Sequence, residues 1–187
     1  MVETSDQSAP AGGASLAVPR TIALVGLMGA GKSCIGRLLA TALDLPFVDA
    51  DKEIEAAAGC SVEDIFAAHG VGGEDVLDRA AGGGAFMDPE TRRLILDRAT
   101  SVWLRADVDL LLRRTARRNN RPLLKRGDPR EILARLIKER YPVYAEADVV
   151  VDSVDGPPEM TLARVLDGLR KLYGTQEFVG SARSAAQ

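Results

Sequence analysis

The sequence is poor in cysteine and in long apolar runs, and its net charge is small. Its two cysteines, Cys34 and Cys60, are too few for a disulfide framework and form no metal-binding pair. No apolar run approaches the roughly 20 residues that a membrane-spanning helix needs. The N-terminus has no basic start followed by an apolar stretch, so no secretory signal is recognised. The net charge of −3 gives no general attraction to nucleic acid or to an anionic membrane. We therefore expect a reduced, cytoplasmic protein that binds neither.

Composition and length favour one globular domain. Of the 187 residues, 46% are hydrophobic and 27% are charged, as in ordinary globular proteins with a real core. Residues 1–19 are rich in Ala, Gly, Ser and Pro and have no periodicity, which predicts a disordered N-terminal tail. We expect the domain to occupy residues 20–174, and residues 175–187 to form a loose C-terminal tail.

The most informative motif is G-L-M-G-A-G-K-S at residues 26–33, which matches the phosphate-binding pattern G-x-x-x-x-G-K-[ST]. An apolar run of strand type precedes it, and apolar residues at helical spacing follow it. Glycines let backbone N–H groups turn towards phosphate oxygens, and the helix start adds its positive dipole end. Lys32 can reach the outer phosphates, and the hydroxyl of Ser33 can hold Mg²⁺. The predicted nucleotide contacts in this stretch are Gly29, Ala30, Gly31, Lys32, Ser33 and Cys34.

Strands and helices alternate along the rest of the chain. Strand-type runs are predicted at residues 21–25, 46–48, 101–104 and 149–151. Helices are predicted to follow the phosphate loop as far as Leu43, to start at Pro89, and to lie at about 52–57, 61–68, 108–112, 129–141 and 158–169. Asp88 and Asp107 are predicted caps, and Leu94 and Ile95 a buried helix face. Continuous apolar strands predict an α/β fold of three layers, with a parallel sheet of about five strands flanked by helices.

The phosphate loop alone does not separate the classes of nucleotide-binding protein. A GTPase should carry an Asn-Lys-x-Asp guanine reader, and none occurs in the sequence. A larger ATPase would need a longer chain. Size therefore favours a small-molecule kinase that uses ATP.

Five features together resemble the shikimate kinase family. They occur in the family's order along the chain: the phosphate loop, Asp49-Ala50-Asp51, Gly82-Gly83-Gly84, the Arg-Pro-Leu-Leu run that starts at Arg121, and the run from Glu139 through Arg140 to Tyr144. The resemblance implies a P-loop fold like that of the nucleoside monophosphate kinases, ATP as co-substrate with Mg²⁺, and shikimate as the acceptor in aromatic amino-acid synthesis. We further expect a monomer.

The resemblance also assigns roles to single residues of the acceptor side. Asp49 would help to hold Mg²⁺ through water, together with Ser33. Asp51 would bind a substrate hydroxyl and accept its proton, a role that a carboxylate can fill. Arg140 would bind the substrate carboxylate, because a guanidinium offers a two-pronged match to it. The substrate-binding set is completed by Gly82, Gly83 and Gly84, whose backbone N–H groups can approach a ligand closely.

A dense basic segment at about residues 113–128 is open to two interpretations. The family resemblance makes it a mobile lid over ATP, in which Arg121 stabilises the transferring phosphoryl group and Arg117 lies near the adenine. Closure of such a lid would also exclude water. The alternative is an RNA-binding patch, but the segment has no interleaved aromatic residues and the protein as a whole is acidic.

The stretch at residues 71–81 departs from the family pattern. Shikimate kinases carry a Phe-Arg pair on a helix here, followed by a strand, and the pair is absent. Eleven residues cannot hold both elements, since a helix averages about 11–12 residues and a strand about 5–6. Arg79 is the one arginine in this stretch, and we transfer no function to it. A nucleotide-binding protein without kinase activity, and a relative of gluconate kinase, stay open as alternatives.

Overall fold

The computed structural model describes residues 20–49, 84–116 and 127–174. Within these ranges the chain forms, in order, β1 (Thr21–Val25), α1 (Lys32–Leu43), a short 3₁₀ turn (Ala85–Met87), α2 (Pro89–Arg98), β2 (Ala99–Arg105), α3 (Val108–Ala116), α4 (Pro129–Tyr144), β3 (Val149–Asp152) and α5 (Pro158–Tyr173). Outside them lie both predicted tails, the helices predicted at 52–57 and 61–68, the stretch at 71–81 and most of the predicted lid.

The three described strands form a parallel sheet in the order β1-β2-β3. β1 pairs with β2 from Thr21 opposite Ala99 to Val25 opposite Trp103. β2 in turn pairs with β3 from Val102 onwards. This register brings the carboxyl ends of the strands to one edge, where ligands bind in open α/β sheets. The parallel sheet confirms the predicted fold class, and the described ranges hold three of its strands.

Helices cover both faces of the sheet. On one face, α5 packs so closely on β3 that a Cβ added to Gly168 would lie 2.5 Å from the side chain of Val149. On the other face, the ring of Trp103 meets Tyr141 and Tyr144 of α4 edge-on, with centroids 4.8 and 6.0 Å apart. β2 is buried along nearly its whole length because it lies between these two layers. This arrangement is the predicted three-layer architecture.

Helix starts follow the predicted capping chemistry. The carboxylate of Asp88 accepts a hydrogen bond from the backbone N–H of Thr91 at 2.9 Å, and Pro89 opens α2. The carboxylate of Asp107 accepts one from the backbone N–H of Leu110 at 2.7 Å. Each cap satisfies a backbone donor that has no partner within the helix. Both caps were predicted from sequence, and both are confirmed.

The prediction of a strand at residues 46–48 is wrong. Residues 45–49 have no regular secondary structure. The ring of Phe47 lies against Gly36 of α1, where an added Cβ would come within 2.5 Å of it, and the guanidinium of Arg37 lies over the same ring. A strand requires a hydrogen-bonded neighbour, and no strand within the described ranges pairs with this segment. Phe47 therefore packs on α1, whereas Val48 is exposed.

Two predictions of helix detail are also corrected. Leu94 is half-exposed, and the residues of α2 that pack against the core are Ile95 and Leu96. α4 was expected to end at Tyr141, before Pro142, yet it continues to Tyr144. A proline removes one helical hydrogen bond. Complete burial of Tyr144 against neighbouring rings compensates for that loss.

Replacement of Asp148 by alanine is expected to lower the free energy of unfolding by about 2–3 kcal/mol. Its carboxylate accepts hydrogen bonds from the backbone N–H and the hydroxyl of fully buried Ser101, at 2.8 and 2.7 Å. The substitution leaves both donors buried without that acceptor. Urea denaturation followed by fluorescence of Trp103, the single tryptophan, measures the change. The control is Asp167→Ala, which removes an exposed carboxylate paired with Lys171 and should cost less than about 0.5 kcal/mol. Equal losses in the two variants would contradict this account.

Candidate functional site

The phosphate loop lies between β1 and α1 and is pressed against the end of β2. Gly26 has φ 147°, and a Cβ at this position would lie 2.7 Å from the carbonyl oxygen of Leu104. Gly29 has φ 83°, and its Cβ would lie 3.0 Å from the side chain of Thr115 in α3. Glycine is required at both positions, because the backbone is left-handed there and a Cβ would come too close to neighbouring atoms. The loop is thereby held at the carboxyl edge of the sheet, as the motif predicts.

Lys32 and Ser33 open α1 directly after the loop. The ammonium group of Lys32 donates hydrogen bonds to the carbonyl oxygens of Gly26 and Leu27, at 2.8 and 3.3 Å. A cation therefore lies inside the curve of the loop, and the positive end of the helix dipole points to the same place. This arrangement suits a polyphosphate anion. The structure thus brings together the predicted contacts from Gly29 to Ser33, and places Cys34 on α1 with its side chain exposed.

The sequence did not predict the position of Arg114, which donates hydrogen bonds to the phosphate loop. Its Nη1 donates to the carbonyl oxygens of Gly29 and Ala30, at 3.4 and 3.3 Å, and to the hydroxyl of Ser153 at 2.9 Å. Its Nη2 donates to the carbonyl oxygen of Val154 at 2.6 Å. One guanidinium therefore joins the loop to the segment that follows β3. Arg114 was grouped with the basic lid, and it lies in α3.

The segment after β3 also contacts the loop directly. The hydroxyl of Ser153, which is buried, donates to the carbonyl oxygen of Ala30 at 3.0 Å. The neighbouring Arg113 points elsewhere and pairs with Asp155 at 2.9 Å, with both side chains exposed. Nothing in the Arg-Arg pair at 113 and 114 distinguishes the two side chains. Only the fold determines that Arg114 bonds the phosphate loop and that Arg113 lies at the surface.

Replacement of Arg114 by methionine is expected to raise the KM for ATP about tenfold, because loop carbonyls lose charge-assisted hydrogen bonds. We expect the KM for the acceptor to change much less. Steady-state kinetics with each substrate varied in turn measures both constants. The matched control is Arg130→Met, which breaks an exposed pair with Asp109. An unchanged KM for ATP in the Arg114 variant would show that the hydrogen bonds of Arg114 to the phosphate loop do not shape the nucleotide site.

Asp49 lines the same cavity as the two residues that open α1. A cavity of about 650 Å³ opens along β1, and its lining includes Lys32, Ser33 and Asp49. The carboxylate of Asp49 is largely buried and lies 3.8 Å from the guanidinium of Arg37. The structure therefore brings the predicted metal-binding pair, a hydroxyl and a carboxylate, to one cavity next to the lysine of the loop.

A second group of predicted residues lies around the 3₁₀ turn, whose Ala85 and Phe86 line the same cavity. Gly84 is buried and leads into the 3₁₀ turn, where the ring of Phe86 meets Tyr144 edge-on at 6.3 Å. Arg140 is 5% exposed and hydrogen-bonds to the hydroxyl of Tyr144. Burial raises the pKa of that hydroxyl, although the charge and hydrogen bond of Arg140 oppose the rise. The phenol therefore stays protonated and neutral beside the guanidinium. A buried arginine next to a glycine-rich turn is suited to bind a carboxylate.

Five predicted site residues lie outside the described residues. They are Asp51, Gly82, Gly83, Arg117 and Arg121. Their roles stay predictions. None of the helices in the described ranges has the length and apolar character that crossing a membrane requires.

A phosphate loop between the first strand and first helix of a parallel sheet defines a P-loop nucleotide-binding protein. The family model for shikimate kinase matches residues 28–73 and 74–170. The chain is 56% identical to a shikimate kinase of Paramagnetospirillum magneticum, over 81% of this chain and 85% of that one. It therefore belongs to the shikimate kinase family, as the sequence features indicated.

Further relatives agree with this assignment. A shikimate kinase of Caulobacter vibrioides is 49% identical over 82% of this chain and 84% of its own. Among solved structures, a shikimate kinase from Acinetobacter baumannii in complex with shikimate matches with a TM-score of 0.75. It is 33% identical and covers 82% of this chain and 94% of its own. The shikimate kinase of Aquifex aeolicus matches with a TM-score of 0.65 at 28% identity, over 81% of this chain and 97% of its own.

The comparisons also locate the departure from the family pattern. The family match breaks between residues 73 and 74, inside the stretch from which the Phe-Arg pair is missing. The alignment to the P. magneticum relative spans 166 residues, yet 81% of this 187-residue chain is about 151 residues. About 15 positions of the relative therefore have no counterpart here. This agrees with a shortened segment before Gly82.

Proposed function

We propose that this chain transfers the terminal phosphoryl group of ATP to the 3-hydroxyl of shikimate, which yields 3-phosphoshikimate and ADP. The observation that carries the proposal is family membership combined with a phosphate loop whose geometry fits a polyphosphate. The 33% identical structure from A. baumannii contains shikimate, which supports shikimate as the acceptor. A reaction of this kind belongs to the synthesis of aromatic amino acids.

Phosphoryl transfer depends mainly on positioning and on neutralisation of charge. Backbone N–H groups of the loop would hold the phosphates, and Lys32 would move from the loop carbonyls to the outer phosphate oxygens. The lid would bring Arg121 to the transferring group and Arg117 to the adenine. Asp51 would accept the proton of the 3-hydroxyl of shikimate. The oxygen of that hydroxyl forms the new bond to phosphorus. The bond from phosphorus to the bridging oxygen of ADP breaks in the same step.

Ser33 and Asp49 fit a bound Mg²⁺. Both supply oxygen atoms, which magnesium prefers, and both line the cavity beside the phosphate loop. Magnesium in kinases is usually held by one or two carboxylates together with phosphates and water, so this small ligand set is sufficient. We propose that Ser33 binds the ion directly and Asp49 through water. The ion would supply charge neutralisation on the phosphate oxygens.

The acceptor would lie between the glycines at 82–84 and α4. Backbone N–H groups of Gly82, Gly83 and Gly84 would approach shikimate, and Arg140 would bind its carboxylate through two parallel hydrogen bonds. Burial of Arg140 strengthens such a pair, because fewer water molecules compete for it.

A second function is favoured by one observation, the absence of about 15 positions that the relatives carry. The Phe-Arg pair that is lost with them provides a second carboxylate ligand in the family. A protein without it could retain ATP binding and lose phosphoryl transfer. The phosphate loop is unaffected by this shortening.

ADP release, measured with and without shikimate, separates these functions. Our proposal expects release that depends on shikimate, with 3-phosphoshikimate identified by mass spectrometry. ATP binding without stimulation by shikimate would support the non-catalytic alternative. Stimulation by gluconate in place of shikimate would indicate the other kinase family. Salt-sensitive binding of RNA, with a slope set by several phosphate contacts, would support the nucleic-acid alternative.

A further inference from the structure

Arg92 of α2 joins two elements that the proposed acceptor site needs. Its Nη1 donates hydrogen bonds to the carbonyl oxygens of Phe86 and Met87, at 3.1 and 3.3 Å. Its Nε lies 2.9 Å from the carboxylate of Glu146, two residues after the end of α4. The side chain of Arg92 is 18% exposed and that of Glu146 is half-exposed, so the bonds to the carbonyls are better shielded from water than the ion pair.

Both ends of this contact lead to proposed acceptor ligands. The carbonyls belong to the 3₁₀ turn that begins directly after Gly84. Glu146 follows α4, and its backbone N–H donates to the carbonyl oxygen of Val143 within the last turn of that helix. α4 carries Arg140, whose partner Tyr144 also meets the ring of Phe86.

We infer that Arg92 is a positioning residue for the acceptor half of the site. It sets the separation between the 3₁₀ turn that follows Gly84 and the helix that carries Arg140, and it does not touch the substrate itself. This inference rests on the proposed function, since it takes shikimate as the ligand held between these elements. A shift of about 1 Å in one of two ligand-binding elements can lower rates up to about a hundredfold.

The chemistry of the side chain fits this task. A guanidinium presents several donors in a rigid fork, so one group can bond carbonyls on one side and a carboxylate on another. The adjacent Arg93 shows the contrast. Its side chain is 85% exposed and lies 4.0 Å from Asp97 on the same helix. Two neighbouring arginines of equal charge therefore differ in burial and in the elements that they connect.

The test is Arg92→Met, with Arg93→Met as a matched control on the same helix. We expect the KM for shikimate to rise about tenfold in the Arg92 variant, because two ligand-binding elements move apart. The KM for ATP should stay within about twofold, since none of the Arg92 bonds reaches the phosphate loop. Arg92→Lys should recover part of the affinity, because an ammonium can bond one carbonyl. Arg93→Met should leave both constants unchanged.

Other outcomes overturn the inference in distinguishable ways. If the wild-type protein releases no ADP in response to shikimate, the proposed function fails first. If the wild type is active and Arg92→Met leaves the KM for shikimate unchanged, the positioning role fails and the function stands. If Arg92→Met does not fold, Glu146→Gln decides, because it keeps the carbonyl bonds and weakens one exposed ion pair. It should raise the KM for shikimate about threefold. An unchanged constant in that variant would overturn the inference.

Discussion

Replacement of Lys32 by methionine is expected to lower kcat by about 10²- to 10³-fold, the usual effect of removing one donor that stabilises transition-state charge. In the structure the ammonium group lies inside the phosphate loop, 2.8 Å from the carbonyl oxygen of Gly26. Movement of a few bond lengths would bring it to the outer phosphates. Methionine has a similar length and no charge, so the loop can keep its shape. ADP release at saturating ATP and shikimate measures the change.

The control for this prediction is Lys171→Met on α5. Lys171 is exposed and pairs with Asp167 one turn away, so the same chemical change is made far from the site. We expect activity to be unchanged and stability to fall by less than about 0.5 kcal/mol. A Lys32 variant that retains more than a tenth of the wild-type kcat would show that the loop backbone and Mg²⁺ suffice for charge neutralisation.

Replacement of Arg140 by leucine is expected to raise the KM for shikimate about a hundredfold. Two charge-assisted hydrogen bonds are lost at about 1.5–3 kcal/mol each, less what water recovers. Arg140→Lys should remain severely impaired, because an ammonium cannot form the two parallel bonds to a carboxylate. The KM for ATP should change little. Full kinetics with both substrates measures the separation of the two effects.

Arg135→Leu provides a matched control on the same helix. Arg135 is exposed and lies 4.0 Å from Glu139, so its loss should leave both constants unchanged. Tyr144→Phe separates ligand binding from support of Arg140, since it removes only the hydroxyl that Arg140 contacts. A parallel rise of both KM values in the Arg140 variant would indicate general damage to the fold and would argue against a carboxylate ligand.

Local sequence signals were sufficient where short-range physics decides the structure. The glycines of the phosphate loop, the apolar run of β1 and the helical spacing of α1 specify one supersecondary unit, and the structure forms it. The caps Asp88 and Asp107 were predicted for the same reason, because a cap depends on groups three residues away. Such contacts are formed within a few residues of chain.

Where a local sequence pattern fitted more than one structure, tertiary packing determined which structure formed. The apolar residues at 46–48 fit a strand, yet Phe47 packs on Gly36 of α1. The helix α4 was expected to end at about Tyr141, yet it continues past Pro142 to the buried Tyr144. For Tyr144 a long-range contact outweighs a local preference, because burial of an aromatic side chain contributes more free energy than one backbone hydrogen bond.

The sequence by itself determined that residues 26–33 form a phosphate loop between a strand and a helix, that the fold is a parallel α/β sheet, and that the motifs match one kinase family. Only the tertiary structure decided which arginines support the site. Arg114 and Arg113 are chemically identical neighbours, as are Arg92 and Arg93, and one of each pair reaches a site element. Helix rotation and the approach of distant segments decide this difference. The partners of Arg114 in the loop and after β3 lie 84 and 40 residues away in sequence.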